Sequence, residues 1–170
     1  KNDIKSSQRF LDTSQRRTES EGSQAGQELK IDGAKVIVST EAVGVDDPEN
    51  ELCVMDNATK AGIPSTVSHE ISVIYGLEIR TLTAAINASV LPLTVEVAGF
   101  VESAIRKAGV TAPLMIMKGD GGLTSMETFR TKPILTILSG PAASVAGALL
   151  YLKVTNGIFV EVGGTSTNIC

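Results

Sequence analysis

Between Leu77 and Gly109 one apolar row outlasts every other pattern in the chain. Leu82, Ile86, Val90, Leu93, Val97, Val101, Ala104 and Ala108 are spaced by four, four, three, four, four, three and four. Side chains at that spacing share one side of an α-helix, so the row predicts a long helix with a sustained apolar face. Pro92 interrupts it. A proline lacks the N–H and crowds the preceding turn, which predicts a kink or break near Leu91, with the second half ending at Gly109.

Around this helix the pattern is α/β. "AKVIVST" (34–40) is rich in β-branched residues and reads as a short strand. Asp47 can cap a helix with Pro48 at its first position, running to about Ala61 and stopped by Gly62. "PSTVSHE" (64–70) reads as a second strand or extended edge. After the long helix, "PLMIMKG" (113–119) reads as a buried strand with the turn "DGG". "SMETFRTK" reads as a short helix, "PILTILSG" (133–140) as a strand, and "PAASVAGALLYL" (141–152) as a helix. "GIFVEVGGTSTNIC" (157–170) brings the last strand. This alternation predicts a layered sheet with crossover helices.

With 42% apolar residues but only 4% aromatic and no Trp, any core must be aliphatic. The net charge of −4 gives no support for a nucleic-acid surface. No uninterrupted apolar run approaches the ~20 residues that span a bilayer. The start, "KNDIKSSQRF", has no secretory h-region. Cys53 and Cys170 are too far apart in sequence to suggest a disulfide framework or zinc knuckle. Together these point to a soluble cytoplasmic protein with no nucleic-acid or membrane partner. Residues 1–32 differ from the rest: acids and bases balance, and Ser, Gln, Thr and Gly separate the few apolar residues. They predict a polar segment, exposed or partly disordered. Residues 33–110 then form an α/β region with the Pro92-interrupted helix, and 111–170 a region ending in a glycine-rich hairpin.

Two stretches suit phosphate. In "EVGGTST" a strand delivers Glu161, after which Gly163 and Gly164 permit positive φ and close approach of backbone to a ligand. Successive N–H groups there, with the hydroxyls of Thr165, Ser166 and Thr167, can form an anion-binding concavity, and the preceding carboxylate can hold hydrated Mg²⁺. The plain alternative is a β-hairpin with a Gly-Gly turn. In "LSGPAASVAGA" a small Ser139–Gly140 turn precedes a helix N-terminus, where free N–H groups attract anions. An ordinary connection whose small residues allow close packing explains it equally. "KGDGGL" sets Asp120, Gly121 and Gly122 after a strand, at the end where open α/β sheets bind ligands, or simply makes a turn. Arg80, Thr83 (or Ala84) and Asn87 lie on neighbouring turns of the long helix. They could read a carboxylate or carbonyl if buried, or form its solvated face. His69, the only histidine, reads more readily as structural than as a metal ligand. No GxSxG elbow supports a Ser-His-Asp triad.

In order along the chain, "DDPENE", "VSHEISVIYGLEIRTLTAAINASVLP", "MKGDGGLTS", "TILSGPAASVAGA" and "VEVGGTSTNI" resemble the hydantoinase/oxoprolinase family, specifically its A-type subunit. The resemblance runs from about Gly33 to Cys170. It implies a fold similar to the actin and sugar-kinase ATPases, in which paired phosphate-binding hairpins enclose ATP and Mg²⁺. Glu161 to Asn168 would then be the second hairpin. The first would lie upstream of Lys1 and the remaining half-domain downstream of Cys170, making this an internal fragment, inactive alone, of a longer enzyme.

By the same resemblance Gly163, Gly164, Thr165, Ser166 and Thr167 would cradle phosphate and Glu161 would steer the metal. Ser139, Gly140, Asp120, Gly121 and Gly122 would wall the cleft. The implied activity is ATP-dependent hydrolysis of a cyclic amide or imide, such as 5-oxoproline or a hydantoin. Phosphoryl activation of the amide oxygen would drive it, with catalytic residues unassigned. Relatives carboxylate ketones, and a non-catalytic, partner-binding ATPase-like subunit is the further alternative. The expected partners are a B-type subunit or fused domain, and self-association. The family usually has Asp at the positions of Glu161 and Asn168; both departures bear on the metal.

Overall fold

The computed structural model describes residues 5–12, 19–153 and 156–170; the other positions of the polar leading segment lie outside the described residues. The chain divides into two compact units, Lys1–Glu96 and Val97–Cys170.

In the first unit, helix α1 (Glu19–Ile31) leads to strand β1 (Ile37–Ser39), helix α2 (Glu49–Lys60) and strand β2 (Ser65–Val67). β1 and β2 pair in parallel, with Ile37 opposite Ser65 and Ser39 opposite Val67. Parallel neighbours require a crossover, and α2 supplies it. Its apolar face is short. Ala58 packs with Ile37 and Ile63 in a small core that Leu29, Val54 and Ala61 surround, so Leu29 brings α1 onto the same centre. α2 begins one residue later than expected: Pro48 flanks it, and Asp47 Oδ1 accepts the Glu49 N–H at 3.3 Å. It stops where Gly62, at φ +70°, lets the Gly62 and Ile63 amides turn back to the Thr59 and Ala58 carbonyls at 3.0 and 2.9 Å. That turn delivers Ile63 into the core and starts β2. A short helix, α3 (Ser68–Ile71), follows β2 directly.

Helix α4 (Leu77–Lys107) begins in the first unit and ends in the second as one 31-residue element. Of the kink or break expected at Pro92, the break does not occur. Pro92 lies on the exposed side, while Leu91 and Thr94 on either side of it are buried. The helix therefore continues through the one position that lacks a backbone donor. The helix ends as expected: Gly109, at φ +81°, returns its amide to the Arg106 carbonyl at 3.0 Å.

The buried side of α4 overturns the apolar-face reading. Leu82 and Leu93 remain 63% and 65% exposed, and Ile86, Val90, Val97 and Val101 are exposed with them. Buried instead are Arg80, Ala84, Asn87, Ala88, Leu91, Thr94 and Ala98. Small side chains let backbone approach closely, and the polar ones have partners. By length and composition α4 could cross a membrane. Its fully buried Arg80 and Asn87, bonded to protein groups, are those of a helix packed on protein.

In the second unit, strand β3 (Met115–Met117) pairs antiparallel with β4 (Leu123–Ser125), Met117 opposite Leu123. Ser125 caps helix α5 (Met126–Thr131), its Oγ accepting the Thr128 N–H at 3.1 Å. The expected strand over 133–140 is absent. Pro133–Thr136 form a 3₁₀ turn, and helix α6 (Ser139–Leu152) begins directly after Leu138, a left-handed residue at φ +61°. An apolar run of this length does not distinguish strand from helix, and Pro133 cannot donate to a ladder. The Gly119 amide instead reaches the Leu135 carbonyl at 2.8 Å. A Cβ at Gly119 would collide with the Ile137 carbonyl oxygen, so only glycine allows this approach. The chain closes with the antiparallel hairpin β5 (Val160–Val162) and β6 (Thr167–Ile169).

The α/β class is therefore found, but not the single layered sheet. Among the described residues the strands form three separate two-stranded sheets. Each strand is three residues long, which leaves little ladder for a further neighbour.

Candidate functional site

The β5–β6 hairpin places Glu161 opposite Asn168, with Val162 opposite Thr167 beside the loop. Gly163 N–H donates to Ser166 O at 2.9 Å and closes that loop. Gly163 and Gly164 do not adopt positive φ, contrary to the sequence reading. Gly163 matters through proximity, since a Cβ there would sit 3.2 Å from Ser166 O. Beyond that bond the loop is open. Residues 163–167 are exposed, and the N–H groups of Gly164, Thr165 and Ser166 make no hydrogen bond within the described residues. Adjacent free amides beside hydroxyls are donors that an anion can use.

Glu161 is half-buried, and both its oxygens are engaged. Ser144 Oγ on α6 donates to Oε1 at 3.0 Å, and Asn168 Nδ2 donates to Oε2 at 3.2 Å. Among the described residues no three His, Cys, Asp or Glu side chains gather as a metal cage. One carboxylate beside an open anion surface instead suits Mg²⁺, which keeps waters and takes phosphate oxygens as its other ligands.

The turn after β3 is organised by Asp120. Its Oδ1 accepts the Gly122 N–H at 2.8 Å and its Oδ2 pairs with Lys118 Nζ at 2.8 Å. The Lys118 ammonium first, then the Gly122 amide, hold this carboxyl below its ordinary value. Asp120 and Gly121 line a groove of about 450 Å³ together with Leu138, Pro141 and Ala142 at the start of α6 and Cys170 after β6. The fold thus gathers the Asp-Gly-Gly turn, the Ser-Gly-Pro helix start and the end of the hairpin. Ser139, Gly140 and Gly122 flank the groove without lining it, and the 163–167 loop stands apart from it.

The first unit holds a second polar centre, which the sequence reading missed in part. Glu51, in the first turn of α2, is fully buried. Its Oε1 accepts from Ser68 Oγ at 2.7 Å and from Glu41 N–H at 2.9 Å. Its Oε2 accepts from the His69 N–H at 3.0 Å and lies 2.8 Å from His69 Nδ1. Burial alone would raise the Glu51 pKa, but the bonds from Ser68, His69 and Glu41 outweigh it and hold the carboxyl below its ordinary value. Arg80, also fully buried, donates through Nε to Ser68 Oγ at 3.3 Å and through Nη2 to the Glu41 and Ala42 carbonyls. Its Nη1 has no partner among the described residues.

Asn87 Nδ2 donates to Thr66 Oγ1 at 3.2 Å. Arg80, Ala84 and Asn87 thus form a buried row, whereas the Thr83 hydroxyl returns to Ile79 O at 2.7 Å and takes no part. A lone Glu in a helix's first turn gave little signal of this centre, because its donors come from segments far along the chain. Cys53 and Cys170 are both free thiols.

Comparison with known proteins follows the same segments. The family model described as Hydantoinase/oxoprolinase matches residues 80–170, more than half of the chain. An uncharacterized protein of Methanocaldococcus jannaschii, MJ0964, is 30% identical over 103 residues, covering 58% of this chain and 15% of that protein. Among solved structures, the nucleotide-free acetone carboxylase of ATP-dependent acetone carboxylation aligns over 89% of this chain and 22% of its own, with a TM-score of 0.73 and 24% identity. The ATP-dependent caprolactamase from Pseudomonas jessenii aligns over 95% of this chain and 24% of its own, with a TM-score of 0.76 and 22% identity. At such identities the structural likeness shows the fold, and the chain spans about a quarter or less of each of these relatives. From Arg80 on α4 to Cys170 after the open hairpin, sequence and fold agree: the chain belongs to the hydantoinase/oxoprolinase family.

Proposed function

We propose that this chain carries part of the nucleotide-phosphate site of an ATP-dependent hydrolase of cyclic amides or imides, of the 5-oxoproline or hydantoin type. The observation that carries the reading is the open hairpin loop, whose Gly164, Thr165 and Ser166 amides are exposed and unbonded. Gly163 to Thr167 would hold phosphate oxygens, and Glu161 would orient the Mg²⁺ that neutralises their charge. Ser139, Gly140, Asp120, Gly121 and Gly122 would wall the nucleotide. Phosphoryl transfer to the amide oxygen makes the carbonyl carbon attackable by water, and catalysis of such transfers is largely positional and electrostatic. ATP use is supported by two fold neighbours that are themselves ATP-dependent.

Two further readings attach to the same site. Carboxylation of a ketone uses the same activation of an oxygen and is supported by the likeness to acetone carboxylase. A non-catalytic, partner-binding subunit is favoured by Asn168, which lends Glu161 a neutral amide. A B-type partner subunit or fused domain, and self-association, are supported by the exposed apolar side of α4. The free thiols suit a cytoplasmic setting.

The test on this chain is a ¹⁵N-edited titration with Mg-ATP. The amides of Gly164, Thr165 and Ser166 should shift most, at millimolar ligand, and Gly164→Asp should abolish the response. Largest shifts outside the second unit would sink the reading. For the longer protein, ADP release that depends on 5-oxoproline or a hydantoin marks the hydrolase and bicarbonate dependence the carboxylase. No turnover with either leaves the non-catalytic reading.

A further inference from the structure

The phosphate reading uses residues of the second unit and leaves the Glu51–His69 pair of the first unit without a task. The geometry of that pair is that of a prepared imidazole. Glu51 sits in the first turn of α2, where the helix N-terminus favours an anion, and the hydrogen bonds to it keep it ionised. An ionised carboxylate can only accept, so the proton between His69 Nδ1 and Glu51 Oε2, 2.8 Å apart, belongs to Nδ1. A neutral ring in that tautomer carries its lone pair on Nε2. That atom has no hydrogen-bond partner among the described residues and is not among the buried unsatisfied atoms, and 17% of the side chain is exposed.

Position strengthens the case. His69 lies just past the end of β2, and Glu41, whose amide also holds Glu51, lies just past the end of β1. Both therefore lie at the C-terminal ends of the parallel pair, the edge at which open α/β sheets collect ligands. The arrangement is over-determined: Ser68 holds the other carboxylate oxygen, Arg80 holds Ser68, and Arg80 Nη1 is buried without a partner among the described residues. Buried polar groups left unpartnered are costly and uncommon.

We propose that His69 Nε2 is a proton-accepting site, prepared by Glu51 as its positioning residue, for a neutral small molecule bearing an N–H or O–H group, such as an amide or an attacking water. In the transfer the ligand's N–H or O–H bond breaks and its electron pair stays on the ligand. The proton forms the new Nε2–H bond. Nδ1–H stays bonded to Glu51, whose negative charge stabilises the imidazolium, and the reverse step returns the proton.

The chain's single histidine makes the test direct, since its ring signals need no sorting. Long-range ¹H–¹⁵N spectra of the folded chain should show a protonated Nδ1 and a bare Nε2 in the neutral ring, and acetamide should shift the Nε2 resonance. Diethyl pyrocarbonate should add one carbethoxy group at Nε2 no more slowly than in the urea-unfolded chain. Glu51→Gln should slow that reaction on the order of tenfold. An Nε2–H tautomer, an Nε2 signal indifferent to acetamide, or a folded-state reaction over tenfold below the unfolded one would overturn the proposal. If Glu51→Gln does not fold, the tautomer and acetamide measurements on the parent chain decide alone. None of these readouts involves nucleotide, so failure here leaves the phosphate reading standing, and the converse holds.

Discussion

Replacing Glu51 by alanine should be among the most damaging single changes available to the first unit. The side chain is fully buried and accepts bonds from Ser68 Oγ, Glu41 N–H, His69 N–H and the His69 ring. Alanine strands these donors; each unmade bond of a buried donor costs roughly 1–3 kcal/mol. It also leaves the buried Arg80 cation without the anion at the far end of its Ser68 link. Water entering the space and local relaxation recover part of the loss, so the expected net destabilisation is about 3–5 kcal/mol. That is a large fraction of the roughly 5–15 kcal/mol that holds a domain together. Urea unfolding followed by far-ultraviolet circular dichroism measures it as a fall in the midpoint. The pH dependence carries a sign of its own. Because Glu51 is held below its ordinary value of 4.5 when folded, its contribution is complete above that value and is lost as pH falls through the folded one. Glu51→Gln should therefore flatten the loss of stability on acidification below pH 4.5. A Glu51→Ala chain within about 1 kcal/mol of the parent, at an unchanged denaturant slope, would refute the account of this centre.

Three other perturbations follow from the same structure. Pro92→Ala restores an amide to the exposed side of an unbroken helix and should stabilise the chain by about 1–3 kcal/mol, read as a raised urea midpoint; a lowered one would contradict a helix continuous through this position. Gly119→Ala forces a Cβ against the Ile137 carbonyl and should cost about 1–3 kcal/mol, seen as faster amide exchange over β3 and β4, with an unperturbed exchange pattern as the opposing result. Asn168→Asp sets a second carboxylate opposite Glu161 and should weaken the hairpin by up to about 1 kcal/mol in chelator. Mg²⁺ should restore its melting temperature while leaving the parent's unchanged, and a variant insensitive to Mg²⁺ would argue against a metal role for Glu161.

Local elements were legible where local chemistry decides them. Gly62 and Gly109 end their helices because each φ > 0 residue lets the last amides turn back on the helix, and Ser125 starts α5 through its own side chain. The hairpin was legible for the same reason. The direction in which α4 packs was not. Its apolar row and its small, polar row are both periodic, and helical spacing alone cannot say which is covered. Only the tertiary structure shows that Arg80 and Asn87 find acceptors inside while Leu82 and Leu93 stay at the surface. The stretch 133–140 failed for a related reason, since its Leu135 carbonyl is met by the Gly119 amide across the fold rather than by a neighbouring strand.

By itself, then, the sequence determined helices α2, α4, α5 and α6, the glycine stops of α2 and α4, the open glycine-hydroxyl loop and the motifs shared with the family, but not α1 or α3. These depend on interactions within a turn or two of chain. Which faces are buried, and the joining of Glu41, Glu51, Ser68, His69 and Arg80 into one centre, were decided only by the tertiary structure. A buried charge is tolerated only when donors from distant segments meet at it, and no local pattern records that meeting.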